Sequence, residues 1–188
     1  MANIAIVYHS GYGHTKKVAE FIAEGVKKSG SQVKIFTADE GISNLDELDN
    51  YDGIIFGSPT YMGSVSAKFK EFMDASSKKW FTQAWKNKIA AGFTNSGSLS
   101  GDKLNTLITL SVYAAQNSMI WVGQAEMPAS SKEHGGKPEQ INRMGSSLGL
   151  MTQSDNASPE VTPSSGDIET AIIFGKRVAE ITQNMISK

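Results

Sequence analysis

Ile4-Ala-Ile-Val-Tyr-His-Ser-Gly-Tyr-Gly-His-Thr15 is the stretch on which the reading of this chain turns. Ile4–Tyr8 reads as a strand too uniformly apolar to be half exposed. It runs through a glycine- and hydroxyl-rich turn straight into a helical period. Val18, Ile22 and Val26, with Phe21 beside them, recur at helical spacing, which predicts a helix over 15–29 facing a sheet. Such a turn directs backbone N–H groups, the Ser10 and Thr15 hydroxyls and the positive end of a helix dipole at one small volume, a setting for a phosphate. The turn is not a Walker loop, because no Gly-Lys-Ser/Thr follows, and the third glycine of the dinucleotide fingerprint is missing. Its donors are neutral, which suits a phosphomonoester with little demand for metal. The competing reading is that Ser10 and Thr15 only cap the helix.

Outward from this stretch, short apolar runs alternate with helical periods. Gln32–Thr37 reads as a second strand near an edge, Gly53–Gly57 as a third, Ile89–Phe93 as a fourth and Met119–Val122 as a fifth. Helices are predicted over 66–78, 102–117 and 167–186, the last with Ala171, Phe174, Val178, Ile181 and Met185 as an apolar stripe. This alternation predicts an α/β fold: a doubly wound, five-stranded parallel sheet in the order 2-1-3-4-5, with helices on both faces, as one domain over 1–188. Gly123–Gly166, rich in Ser, Gly, Pro and Lys, interrupts the pattern and is expected to be a long loop acting as a lid or an interface arm.

Ligands of such sheets bind outside the carboxyl ends of the strands. After the third strand comes Ser58-Pro-Thr-Tyr-Met-Gly-Ser64, in which Pro59 stiffens the chain and Gly63 permits a bend, so that a flat apolar ring can pack against Tyr61 and Met62. After the fourth comes Thr94-Asn-Ser-Gly-Ser-Leu-Ser-Gly101, where Thr94, Asn95, Ser96, Gly97, Ser98 and Ser100 can hydrogen-bond the heteroatom edge of a ring. The bland alternatives are a tight strand-to-helix turn and a solvated loop. Together with the first turn, Ser10, Gly11, Tyr12, Gly13, His14 and Thr15, they call for a phosphate, a ring with an apolar face and a polar ring edge, and FMN has all three.

Composition narrows the chemistry further. The chain has 188 residues, a formal net charge of −1 and no cysteine. Thiolate chemistry, disulfides and cysteine-held metals are therefore excluded, and there is no global field for nucleic acid or anionic lipid. With no membrane span or export signal, a cytoplasmic location is expected. His9 and His14, five apart across a turn, make a poor metal pair and His134 stands alone, so no metal is predicted. No paired carboxylates support hydrolase chemistry. Six lysines fall between positions 68 and 88, read either as an aid to binding a nicotinamide dinucleotide phosphate or as a solvated helix face.

Val7–Thr15, Tyr51-Asp-Gly-Ile-Ile-Phe-Gly-Ser-Pro-Thr-Tyr-Met-Gly63, Phe69–Asp74, Trp80 and Phe93–Gly101 together resemble the flavodoxin superfamily, and more closely the WrbA-type multimeric flavodoxins that act as NAD(P)H:quinone oxidoreductases. The resemblance implies a flavodoxin-like fold. It also implies that Ser10–Thr15 hold the FMN phosphate, that Thr60–Met62 flank the isoalloxazine, and that Asn95–Ser100 bind the flavin edge and ribityl region. Trp80 matches an aromatic that approaches the flavin from a neighbouring subunit, and Tyr12 a position associated with the nicotinamide. Gln116 and Asn117 stand where the family commonly has two histidines, which makes Asn117 a candidate substrate contact. The expected activity is two-electron, ping-pong hydride transfer from NAD(P)H through FMN to a quinone-like acceptor, in a homo-oligomer (a dimer or tetramer), with no catalytic side chain required. The alternatives are a one-electron flavodoxin-type carrier and a flavodoxin-like scaffold with no enzymatic role.

Overall fold

The computed structural model describes residues 1–131 and 135–187; His134 lies outside them. Its elements are β1 (Asn3–Tyr8), α1 (His14–Lys28), β2 (Gln32–Thr37), α2 (Ala38–Ser43), α3 (Leu45–Leu48), β3 (Gly53–Tyr61), β4 (Ser64–Val65), α4 (Ala67–Ala75), α5 (Ser77–Thr82), β5 (Ile89–Ser96), α6 (Lys103–Gln116), β6 (Ile120–Trp121), β7 (Leu150–Gln153) and α7 (Ser165–Ile186). The sheet runs β2-β1-β3-β5-β6 with every neighbour parallel, which is the expected 2-1-3-4-5 order counted over the core strands. Among the described residues no helix is long and apolar enough to cross a membrane.

The pleat explains why β1 reads as continuously apolar. Ile4, Ile6 and Tyr8 face a cluster with Ile22, Val26, Phe174 and Val178 of α1 and α7, whereas Ala5 and Val7 face Phe56, Phe72, Trp85 and Leu110 on the other side. Helices α1 and α7 cross so closely that a Cβ on Gly25 would lie 1.9 Å from the Ile172 carbonyl, and one on Gly175 2.0 Å from that of Ile22. Each large side chain buried in these layers contributes about 1.5–3 kcal/mol.

The structure departs from the expected elements in three places. β3 continues past Gly57 to Tyr61, and β5 past Phe93 to Ser96. Pro59 is tolerated there because β1 has already ended: its last pairing is Tyr8 with Gly57, so the missing N–H faces no strand on that side. The region between β2 and β3 is helical, opened by a capping box in which Thr37 and Glu40 satisfy each other's backbone N–H. Finally, residues 123–166 are not a structureless loop. The fifth strand is split, β6 pairing Ile89 and Ala90 of β5 while β7 pairs Phe93–Ser96, and the segment between them is a long excursion. Leu150 and Thr152 are buried in alternation, a period of two over only four residues and too short to stand out from its Ser/Gly surroundings.

Candidate functional site

The turn after β1 is built as a helix-entry cradle. Ser10 Oγ accepts from the Gly13 N–H at 3.0 Å, so Ser10 closes the turn from within. Gly13 sits at φ 90°, a conformation costly for any side chain, and a Cβ there would meet Pro159 Cγ at 2.7 Å. α1 begins at His14 with no side-chain cap, which leaves its first N–H groups open to an anion. His14 Nε2 donates to the Ala157 carbonyl at 2.8 Å, and the Lys17 ammonium to that of Pro159, so the turn is roofed by the segment after β7.

A cavity of about 460 Å³ opens here, lined from this turn by Ser10, Tyr12, His14 and Thr15, from β3 by Pro59, Thr60 and Tyr61, and from β5 and its exit by Asn95, Ser96 and Gly97. These ten were expected as site residues, and the fold brings them to one hollow. Ser154, Asp155, Asn156 and Ala157 complete the wall and were not anticipated, because their place follows from β7 pairing alongside β5.

The floor is a chain of hydroxyls. Thr60 Oγ1 lies 2.8 Å from both Thr94 Oγ1 and Thr106 Oγ1, so its hydrogen-bonding capacity is spent inward. Thr94 is fully buried beneath the cavity and does not line it. Asn95 Oδ1 accepts from Thr152 Oγ1 (2.9 Å) and Ser154 Oγ (3.1 Å), which turns its amide N–H groups into the free donors of a side chain lining the cavity. At the rim, the exposed Tyr12 ring stands edge-on to Tyr61 with centroids 6.4 Å apart. Burial raises the Tyr61 phenol, so it stays a neutral donor. Below the rim, burial lowers His9, whose Nδ1 pairs with Ser66 Oγ at 2.8 Å.

Several expected residues fall elsewhere. Met62 (φ 47°) and Gly63 (φ 83°) are the two residues of a hairpin turn joining β3 to β4, the double positive φ favoured between twisted strands. Met62 projects fully into solvent, outside the lining. Gly11 contributes backbone only, a Cβ there meeting Tyr61 Oη at 2.5 Å. Ser98 offers its carbonyl to Lys103, and Ser100 borders a neighbouring depression with Leu99 and Asp102. Trp80 and Asn117 lie together, but not here. They line a separate cavity of about 310 Å³ with Tyr113 and Gln116. Asn117 follows α6, which returns toward the amino ends of the strands, where the Ser118 carbonyl accepts from the Asn87 N–H two residues before β5. Of the other aromatics in that stretch, only Trp85 is core, stacked on Phe72 with Nε1 donating to Asp49 Oδ1; Phe81 is exposed.

The lysines between 68 and 88 do not line the cavity. Lys79 is buried between Asp46 and Asp49, Lys68 and Lys70 pair with Glu71 and Asp74, and Lys88 donates to the carbonyls of Asp49 and Tyr51.

The cavity therefore offers an uncapped helix start open to an anion, a hollow lined by Tyr61 and by Asn95–Gly97, and amide donors at its edge. Its volume and donor set suit one phosphorylated, flat, heteroatom-edged ligand, and no lysine or arginine side chain lines it. A site of this kind at the switch point of a 2-1-3-4-5 parallel sheet defines the flavodoxin-like class. A model of the flavodoxin domain matches residues 5–117. Flavodoxin FldP of Pseudomonas aeruginosa is 42% identical over 98% of this chain and 99% of its own length. An NAD(P)H dehydrogenase (quinone) of Archaeoglobus fulgidus is 28% identical over 98% and 100%. A crystal structure of a WrbA-like flavodoxin from Agrobacterium tumefaciens superposes with a TM-score of 0.75 at 39% identity, covering 98% of this chain and 99% of that one. The chain belongs to the flavodoxin family, among its WrbA-like members.

Proposed function

We propose that residues 1–188 form one FMN-binding unit that passes hydride equivalents from NAD(P)H to a quinone-like acceptor. The observation that carries this reading is the cavity at the carboxyl ends of β1, β3 and β5, whose three walls differ in chemistry as the three parts of FMN do. The Ser10–Thr15 turn and the open start of α1 seat the phosphate. Tyr61 and Pro59 cover one face of the ring, and the Asn95 amide with the backbone of Ser96 and Gly97 meets its pyrimidine edge. A flavin in this position supplies hydride acceptance and release of electrons singly or in pairs. The protein's part is to orient the ring, exclude water from its edge through the Thr60–Thr94–Thr106 floor, and leave a rim beside Tyr12 open to nicotinamide and acceptor in turn.

The proposed assembly is a homo-oligomer. Trp80, Phe81 and the Leu104–Ile108–Val112 row along α6 are exposed apolar side chains, and a second copy of the chain is the partner proposed to cover Trp80. Trp80 and Asn117 would then act on a neighbour's site.

The test is an absorption spectrum of purified protein reconstituted with FMN, followed by NAD(P)H under nitrogen and then benzoquinone. Rapid bleaching and rapid recovery support the oxidoreductase. A flavin that binds but is not reduced by NAD(P)H supports the one-electron carrier, a reading favoured by the 42% identity to a protein named a flavodoxin. Protein that takes up no FMN sinks both.

A further inference from the structure

Lys103 opens α6 and is fully buried. A buried lysine ordinarily sits against a carboxylate, as Lys79 does here between Asp46 and Asp49. Lys103 does not: its ammonium donates to Ser96 Oγ (2.9 Å), to the Ser98 carbonyl (2.6 Å) and to the Leu99 carbonyl (3.0 Å), and among the described residues no carboxylate lies within salt-bridge distance. All three partners are uncharged oxygens, so none of them cancels the charge of the ammonium. What a lysine adds is charge.

Around it is a buried network with one carboxylate for two cations. Arg143 pairs with Asp167 at 2.8 Å, the two side chains being 7% and 2% exposed. Gln153 joins the pair to the cavity: its N–H donates to Asp167, its side-chain oxygen accepts from Arg143, and its amide nitrogen donates to the Gly97 carbonyl and to Asp155. Lys103, Arg143 and Asp167 thus leave one net positive charge buried behind Ser96 and Gly97, where screening by water is weak, while the exposed Asp155 carboxylate on the other wall is a negative charge that water screens.

We propose that Lys103 is a positioning residue that makes the ring-edge wall of the cavity prefer a ligand carrying negative charge over the same ligand without it. The inference rests on the FMN reading. A bound flavin would supply hydride acceptance, a nicotinamide C–H bond being exchanged for an N–H bond on the ring and the nicotinamide leaving as its oxidised cation, and the reduced ring would carry its negative charge at the edge that Asn95, Ser96 and Gly97 are proposed to hold. Lys103, held one hydrogen bond behind Ser96, favours that product and so favours transfer of electrons in pairs.

Burial lowers Lys103 to about 8. The charged groups acting on it are Asp167 of α7, whose carboxyl burial pushes up while Arg143 holds it down, and Arg143 itself, ahead of β7. As pH rises through that range, the ammonium loses its proton and the preference fades.

The experiment compares full-length native protein and Lys103→Met, both reconstituted with FMN, by the two-electron midpoint potential and by the dissociation constant of oxidised FMN. Lys103→Met is expected to weaken reduced FMN about tenfold more than oxidised FMN near pH 7, a fall of about 30 mV in potential. The native potential is expected to fall more steeply than the variant's across about pH 8. Equal weakening of both redox forms, with the potential unmoved, would make Lys103 a loop clamp and overturn the proposal. If the variant does not fold, the native pH profile decides alone, and a profile with no steepening between about pH 7 and 9 overturns it. Native protein that binds no FMN removes the FMN reading and this inference together, whereas FMN binding with an unmoved potential removes only the inference.

Discussion

Asn95 and Asn117 are buried to nearly the same degree, 5% and 4% exposed, yet their surroundings are finished differently. The side-chain oxygen of Asn95 is held by Thr152 and Ser154, and the hydroxyl floor beneath it is closed on itself. The oxygen of Asn117 has no partner, although its amide donates to the Tyr113 carbonyl, and the cavity it lines is edged by a half-exposed indole. A buried unpaired carbonyl costs about 1–3 kcal/mol. One chain therefore satisfies the polar groups around Asn95 at the carboxyl ends of the strands and leaves an acceptor open at Asn117 near the amino ends. Under the proposed function, the first hollow is the ligand site and the second the place where a partner copy would dock.

The sharpest way to break this contrast is at the self-contained site. Gly13→Val forces a branched side chain onto φ 90° against Pro159. The local cost is roughly 1–3 kcal/mol, and FMN binding is expected to weaken by about one to two orders of magnitude. Fluorescence-quench titration of FMN checks this, and an unchanged dissociation constant would mean that the turn does not seat the phosphate.

A smaller effect is expected from Trp80→Ala, and at a different readout. FMN affinity should be unmoved, while self-association weakens by about thirtyfold, the scale of a buried aromatic anchor worth roughly 2 kcal/mol. Sedimentation velocity across a dilution series reads it. If assembly and the quinone Michaelis constant both stay as in the parent, Trp80 is an ordinary surface residue.

Asn117→Leu should produce the smallest change. Since the Asn117 oxygen has no partner among the described residues, an apolar side chain of similar shape is expected to leave monomer stability within about 1 kcal/mol in urea denaturation. A much larger loss would show that the amide bond to Tyr113, and not an external partner, is what the position is for.

Much of the architecture was legible because its signals are local. Ile4–Tyr8 announces a doubly covered strand, Val18–Val26 a helix on it, and Ser10–Thr15 the turn between them, each within a few residues of the next. Ser58–Thr60 and Thr94–Ser96 were harder. Their polar residues and proline looked like loops, but they extend strands whose faces are already covered, and their hydroxyls find one another across the sheet. The capping box at Thr37 and Glu40 was visible in the sequence and marks a helix in a stretch that reads only as short.

By itself, then, the sequence determined the parallel sheet, its switch point and the glycine turn that leads from β1 into α1, because strand pattern, helical period and glycine placement act over a few residues. Tertiary structure alone decided the rest. The splitting of the fifth strand carries Ser154–Ala157 to a turn more than 140 positions away in the chain, as the His14–Ala157 bond records. It decided that Lys103 is buried with no carboxylate within salt-bridge distance among the described residues, and that Trp80 and Asn117 share a hollow away from Ser10. These depend on which distant groups lose water together, a property of the assembled layers and of no short segment.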